Sequence, residues 1–292
     1  MKPAGMSSAA VVAVMRRLTG EKRTGHAGTL DPEAAGVLPI MTGKAARLFD
    51  YLVDKEKEYE AVCAFGTGTD TQDATGTVTE KGENYPDLKT VREKAWELVG
   101  EIRQKPSMYS ALKVGGKPLY ARARKGETVE VPERIVTVKS IEVTGEEPDH
   151  AVGLVVRCGK GTYIRTLCDD LGKLCGCPAH MRSLLRTRSG VFTAETALTL
   201  DEARELAAES RLAEKMLPPD YPIGHIPRMD IPMLFSKQIA AGARIPARAV
   251  FRDGAAEPSY GSVFRVYLGN EFWGIMQRDG DMLVWKVQIA PE

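Results

Sequence analysis

The sequence is poor in cysteine, nearly uncharged overall and free of long apolar runs, and each lack removes a class of protein. Five cysteines occur in 292 residues: Cys63, Cys158, Cys168, Cys175 and Cys177. An odd number in a chain of this size argues against a disulfide framework. Cys168, Cys175, Cys177 and His180 fall close together. Cys175-Gly176-Cys177 is too tight for the paired ligands of structural zinc, however, and Cys168 falls on a predicted helix. Plain buried thiols are expected, and no metal site. No stretch reaches the roughly eighteen apolar residues of a membrane-spanning helix. Met1-Lys2-Pro3-Ala4-Gly5 lacks the apolar core of a signal peptide, so a cytoplasmic address is expected. Formal net charge is +1 with a pI near 7.6, so no global affinity for polyanions is written in the composition. The chain also lacks a Walker loop: Gly159-Lys160-Gly161-Thr162 has neither the first glycine nor the long spacer.

What is present is local. Between Ile102 and Gly126 stand seven basic residues and no acidic one: Arg103, Lys105, Lys113, Lys117, Arg122, Arg124 and Lys125. Tyr109 and Tyr120 lie among them, a mixture suited to phosphate neutralisation and base stacking. A basic solvated hairpin would have the same composition.

The periodicities predict a helix opened by Ser7 and Ser8 and stopped by Gly20, and a second over Lys44 to Lys55. Tyr59 to Phe65 alternates as a strand. Leu88 to Val99 reads as a helix, Val129 to Val131 and Ile135 to Val143 as strands, Val152 to Cys158 as a strand, and Tyr163 to Leu174 as a helix. The absence of regular βαβ alternation favours an α+β fold with a mainly antiparallel, mixed sheet. Five prolines, Pro218, Pro219, Pro222, Pro227 and Pro232, mark a boundary. Beyond it, Ser262 to Leu268, Phe272 to Met276 and Met282 to Ile289 read as strands. The expected organisation is a larger domain over 1–216 and a small β-rich domain over 223–292.

Asp31 is the only acid between Glu21 and Glu33. Pro32 biases it away from helical angles, into a loop, and Gly28 and Gly36 would let backbone approach a ligand. Such a carboxylate can be a nucleophile or a general base, or merely the acid of an Asx turn. Asp70 and Asp73 sit in a polar turn expected to be fixed by its own side-chain hydrogen bonds, lacking the further acids of a calcium site. Arg165, in the first turn of its helix, can hold a carboxylate ionised or be an ordinary surface arginine.

Taken together these segments resemble the TruB family of bacterial tRNA pseudouridine-55 synthases. The resemblance rests on Lys2-Pro3-Ala4-Gly5-Met6-Ser7-Ser8, on Gly25-His26-Ala27-Gly28-Thr29-Leu30-Asp31-Pro32 with Gly36-Val37-Leu38-Pro39, and on Lys57-Glu58-Tyr59. Gly68-Thr69-Asp70-Thr71-x-Asp73, Pro106 to Lys113 and Gly161-Thr162-Tyr163-Ile164-Arg165 follow in order. It covers about Lys2 to Gly190, and the C-terminal part is similar only loosely to the family's small RNA-binding (PUA-like) domain.

The resemblance implies Asp31 as catalytic aspartate, Tyr59 packing on the target base and moving a proton, and Arg165 pairing with the acid. His26 would hold the flipped-out T-loop, Tyr163 and Leu184 would line the uracil pocket, and the basic segment at about 107–134, with Lys113 and Arg122, would be a mobile thumb over the RNA. Breaking N1–C1′ and making C5–C1′ needs neither redox change nor external energy, so no cofactor is expected. Asp31 would attack either C6 of uracil or assist a ribose-centred intermediate. The implied partner is the tRNA T-arm stem-loop, without membrane, guide RNA or obligatory protein partner. Related guide-RNA-dependent synthases share the motifs but carry longer basic extensions. An RNA chaperone would not need the Asp31, Tyr59, Arg165 set, and a hydrolase would change substrate mass. Family members carry a short apolar strand before Lys-Pro; here either the start is assigned late or that sheet edge is missing.

Overall fold

The computed structural model describes residues 1–53, 55–110, 112–119, 122, 127, 129–251 and 258–289. The chain groups into two compact units. The first comprises Met1–Val14, His26–Pro39 and Val53–Glu205, and the second Met15–Gly25, Ile40–Leu52 and Leu206–Glu292. The elements begin with helix α1 (Ser8–Thr19), strands β1 (Thr24–His26), β2 (Ala35–Gly36) and β3 (Ile40–Thr42), and helix α2 (Phe49–Val53). There follow β4 (Lys57–Phe65), β5 (Thr67–Thr69), β6 (Val78–Lys81), α3 (Leu88–Glu97), β7 (Gly100–Gln104), β8 (Lys113–Val114) and β9 (Lys117–Pro118). Next come β10 (Arg134–Glu147), β11 (Ala151–Cys158), α4 (Ile164–Cys175), β12 (Ala179–Ser189), β13 (Phe192–Thr193) and α5 (Leu200–Ala208).

The first unit is built on a seven-stranded sheet in the order β13-β12-β4-β11-β10-β7, with β2 added parallel to β12. The other pairings along this path are antiparallel, so the fold is α+β with a mixed, mainly antiparallel sheet. β4 explains why the sheet has two characters. Its inward residues Tyr59, Ala61, Cys63 and Phe65 are buried, while Glu60 between them is exposed, the period-two signature of a half-buried strand. Helix α4 places Ile164, Leu167, Cys168 and Leu171 on the same core as Leu154 and Val156 of β11. Each such aliphatic side chain contributes about 1.5–3 kcal/mol by leaving water. α4 stops at Gly176, whose φ of 71° supplies the left-handed cap. α3 starts at Asp87, which accepts a hydrogen bond from Thr90 N–H at 2.7 Å. The cysteines are free thiols, and Cys63, Cys158, Cys168 and Cys177 are buried.

The second unit carries a five-stranded sheet formed by β14 (Arg228–Asp230), β15 (Ile245–Pro246), β16 (Val263–Leu268), β17 (Glu271–Asp279) and β18 (Met282–Gln288), with short helices α6 (Ser236–Ala240) and α7 (Ala247–Val250). Its core is Ile239, Ile245, Val266, Met276 and Leu283 with their neighbours.

Three expectations about elements change. The helix read over Lys44 to Lys55 is a 3-10 helix at Gly43–Leu48 followed by the single short turn α2. Val129 to Val131 is irregular rather than a strand. β12, which pairs with β4, β13 and β2, carries no strand signal in the sequence reading. Its arginines interrupt the apolar alternation, yet Arg186 is only 1% exposed.

Candidate active site

The site is built around the loop from Gly28 to Ala34, which is pinned from three sides. Ser8 is buried on α1, and its hydroxyl both accepts from Leu30 N–H and donates to Leu30 O, each at 2.9 Å. Lys2 is 1% exposed, and its ammonium donates to Pro3 O and Pro32 O at 2.8 Å and to Ala34 O at 2.5 Å. Arg186 donates from Nε to Val37 O at 2.7 Å and from Nη2 to Gly28 O at 2.9 Å. A buried cation is tolerated when its donors are satisfied, and here carbonyls do so. Gly36 serves a different purpose from the ligand approach expected of it. Its φ is 122°, and a Cβ there would lie 2.3 Å from Arg186 O, so the missing side chain admits strand β12.

On this loop Asp31 faces Arg165 across a 2.9 Å gap between Oδ2 and Nε. The Nε–H is not aimed along that line, so the contact is an ion pair rather than an aligned hydrogen bond. Arg165 is 4% exposed and Asp31 37%. The rest of the guanidinium is held by Thr71 O at 3.0 Å, Asp73 Oδ2 at 3.3 Å and Tyr109 O at 3.2 Å. Burial pushes the Asp31 carboxyl above the ordinary carboxylate value. Arg165 opposes that rise, Asp73 adds to it and Lys2 opposes it. The expected ionising influence of Arg165 is therefore present but is outweighed by desolvation.

A cleft of about 380 Å³ opens beside the carboxylate, lined among others by Asp31, Tyr59, Tyr163, Leu184 and Arg186. Tyr59 comes from β4, and Leu184 comes from β12 opposite Ala61 of that strand. Burial pushes the Tyr59 hydroxyl up, partly offset by the Arg186 guanidinium, so the phenol stays protonated at neutral pH. Tyr163 precedes α4, and the amide of Gln104 clamps its main chain: Tyr163 N–H donates to Oε1 at 3.0 Å and Nε2 donates to Tyr163 O at 3.3 Å. Gly159 to Thr162 form one wall of the cleft.

The other expected residues are placed differently. His26 sits on β1, half-buried, outside the cleft lining, with Nδ1 lacking a hydrogen-bond partner. Burial, then the charge of Arg186, lowers its pKa. Lys113 lies in the β8–β9 hairpin, paired through its backbone with Pro118. Arg122 is half-buried. Arg124, Lys125 and Tyr120 lie outside the described residues.

The turn holding Asp70 and Asp73 is fixed by its own side chains, as expected. Asp73 Oδ1 accepts from Thr71 Oγ1, Thr75 N and Thr75 Oγ1, and Asp70 Oδ1 accepts from Thr77 N. The turn also does what no local reading indicated, since Asp73 shares Arg165 with Asp31. Sequence reasoning misses Gln104 and Arg186 as site residues, and reads Asp73 as a turn acid. Lys2 and Ser8 entered only as parts of a motif. Nothing in their local sequence signals a role, because each acts on main chain or side chains distant in sequence.

Two family profiles match the chain, that of TruB family pseudouridylate synthase (N terminal domain) over residues 16–164 and that of tRNA pseudouridylate synthase B C-terminal domain over residues 165–223. The chain is 45% identical over 262 residues to tRNA pseudouridine synthase B of Bacillus licheniformis, covering 88% of this chain and 85% of the relative. It is 42% identical over 274 residues to the protein of the same name from Alkaliphilus oremlandii, covering 94% and 90%. Among solved structures, it is similar to a chain in the crystal structure of a Cbf5-Nop10-Gar1 complex, with TM-score 0.72, 26% identity, and coverage of 98% of this chain and 82% of that one. A chain of an H/ACA RNP bound to a substrate RNA containing 2'-deoxyuridine shares the fold at TM-score 0.72 and 24% identity, over 99% of this chain and 83% of that one.

Proposed function

The chain belongs to the TruB family of pseudouridylate synthases, and on that premise we propose that it isomerises uridine-55 in the T-loop of tRNA to pseudouridine, with Asp31 as nucleophile. The observation that carries the reading is the Asp31–Arg165 ion pair on the wall of a cleft shared with Tyr59 and Leu184. A carboxylate, an aromatic face and an apolar wall are what a uracil ring requires when it is taken out of its stack.

In this scheme the target uridine is extruded from the T-loop into the cleft. Its base packs on Tyr59 and against Leu184, beside Tyr163. Asp31, ionised, adds to the substrate either at C6 of uracil or by way of a ribose-centred intermediate at C1′. The N1–C1′ bond breaks, the base turns and C5 bonds to C1′. The bond to Asp31 breaks and frees the carboxylate, the C5 proton leaves and N1 ends protonated, so atoms balance without oxidant or reductant. Arg165 keeps the carboxylate from taking up a proton in a desolvated site. Tyr59, held protonated, serves as the base platform and as a proton donor in the transfer. His26 and the thumb at about 107–134, through Lys113 and Arg122, hold the opened T-arm. Their contacts offset the lost stacking.

We assign 1–216 to the catalytic domain and 223–292 to a small β-rich RNA-binding domain. Among the described residues no helix is long and apolar enough to cross a membrane; the proposed address is the cytoplasm, where tRNA is modified. A guide-RNA-dependent role is the second reading, favoured by the structural likeness to chains of an H/ACA RNP and of a Cbf5-Nop10-Gar1 complex. The higher identity to proteins named tRNA pseudouridine synthase B favours free tRNA. The test is tritium release from [5-³H]uridine-labelled tRNA transcript, with wild type beside Asp31→Asn and no added RNA or protein. Release by wild type alone supports the proposal. Release only when a guide RNA and partner proteins are supplied overturns the free-tRNA part of it.

A further inference from the structure

Four non-glycine residues among those described have positive φ: Gln72, Asp149, His150 and Ser210. Asp149 and His150 turn the β10–β11 hairpin, and Ser210 follows α5. Gln72, at φ 63°, stands instead between the two residues that grip Arg165. Left-handed backbone in a side-chain-bearing residue persists where the surroundings dictate it.

Those surroundings are fully spelled out. Gln72 N–H donates to Thr69 O at 3.1 Å, and Gln72 O accepts from Met181 N–H at 3.0 Å. Its side-chain Oε1 accepts from Thr166 Oγ1 at 2.8 Å, and Nε2 donates to Asp169 Oδ2 at 3.0 Å. Asp169 is in turn held by Lys173 at 2.6 Å. Thr166 is 2% exposed and directly follows Arg165. Three consecutive residues of the turn thus grip two consecutive residues of α4. Thr71 O and Asp73 Oδ2 both accept from Arg165 Nη1, while Gln72 between them takes Thr166.

We infer that Gln72 is a positioning residue for the Arg165–Asp31 pair, fixing the register of the Thr71–Asp73 turn on the first turn of α4. The inference rests on the pseudouridine-synthase reading only for its effect on rate. Without the Gln72 side chain, the turn is no longer tied to Thr166 and Asp169. The acceptors that set the guanidinium plane are then free to shift, and the Nε facing Asp31 shifts with them. A purely stabilising residue would change melting temperature and leave Asp31 alone.

The experiment compares wild type with Gln72→Gly, which keeps the left-handed backbone and deletes the side chain, and with Thr166→Val, which removes the hydroxyl partner. Thr166→Ser is the conservative control. The Asp31 carboxyl is titrated by ¹³C NMR in free protein, where the charged groups facing it are Arg165, Asp73 and Lys2. Asp169 and Lys173 back the Gln72 amide and are unchanged in all variants. Asp31 is expected to titrate at higher pH in Gln72→Gly and in Thr166→Val, and as wild type in Thr166→Ser. The single-turnover rate on tRNA should fall by about tenfold to a hundredfold in the first two, with tRNA Kd little changed. Wild-type titration of Asp31 in both Gln72→Gly and Thr166→Val overturns the inference, whatever their melting temperatures. A shifted Asp31 together with a wild type that forms no pseudouridine supports the positioning role and overturns the proposed function instead.

Discussion

A methyl group on Gly36 would stand 2.3 Å from the carbonyl oxygen of Arg186. The two backbones meet where β2 joins β12, with Arg186 paired to Gly36, and Val37 N–H donating to Arg186 O at 2.8 Å. This contact brings the loop that carries Asp31 against the strand that carries Leu184. Gly36→Ala meets both a collision with backbone and an unfavourable φ of 122°. It should cost about 3 kcal/mol or more, read by urea denaturation. Stability within about 0.5 kcal/mol of wild type would show that the close approach is dispensable.

Lys2→Met strands the buried carbonyl of Ala34 and removes the donor to the part-buried carbonyl of Pro32. An unsatisfied buried acceptor costs about 1–3 kcal/mol, so a total loss on the order of 3 kcal/mol is expected. Activity should fall more than the unfolded fraction explains, because both carbonyls flank Asp31. Loss of activity that merely tracks unfolding would argue that the lysine only stabilises the fold.

The Asp31 carboxyl is raised by burial above its ordinary value. A carboxyl whose pKa is higher folded than unfolded lowers stability at neutral pH, and the penalty fades as pH falls through the folded pKa. Asp31→Asn should therefore abolish activity while keeping or raising the melting temperature at pH 7. Its advantage over wild type should shrink as pH falls into the acid range. A mutant that melts well below wild type at pH 7 would contradict this balance.

In wild type the same shift predicts that kcat/KM falls on the acid side below an apparent pKa above the ordinary carboxylate value. Replacing Arg165 by Met removes the charge that opposes the rise. The acid limb should then move to higher pH, with kcat strongly reduced. An acid limb that does not move would assign it to another group.

Gln104→Leu leaves the N–H of Tyr163 without its partner, while the Tyr163 carbonyl keeps only the Leu167 N–H at 3.0 Å. The expected cost is about 1–3 kcal/mol, together with a raised KM for tRNA as the Tyr163 ring loses its fixed position. Unaltered KM would detach Gln104 from the cleft.

Lys113→Ala and Arg122→Ala should each weaken tRNA binding and reduce the salt dependence of log Kd by about one, with single-turnover chemistry nearly intact at saturating tRNA. An unaltered slope in the double variant would remove the thumb from the phosphate contacts.

Much of this protein was determined by the sequence alone, and the reason is that local patterns report local burial. The alternation of Tyr59, Ala61, Cys63 and Phe65 specifies β4 because a strand shows its neighbours alternate faces. Ile164, Leu167, Cys168 and Leu171 specify α4 in the same way. The motif around Asp31 and the helix start carrying Arg165 marked both partners of the ion pair, though not their distance. Only the tertiary structure decided the rest. β12 was illegible because arginine normally reads as surface, and Arg186 is buried only where Gly28 O and Val37 O, far away in sequence, supply its acceptors. Asp73 looked like a self-contained turn acid until folding placed Arg165 beside it, 92 residues on. The protonation of Asp31 was likewise undecided, since desolvation depends on what covers the carboxylate, and no local pattern records that.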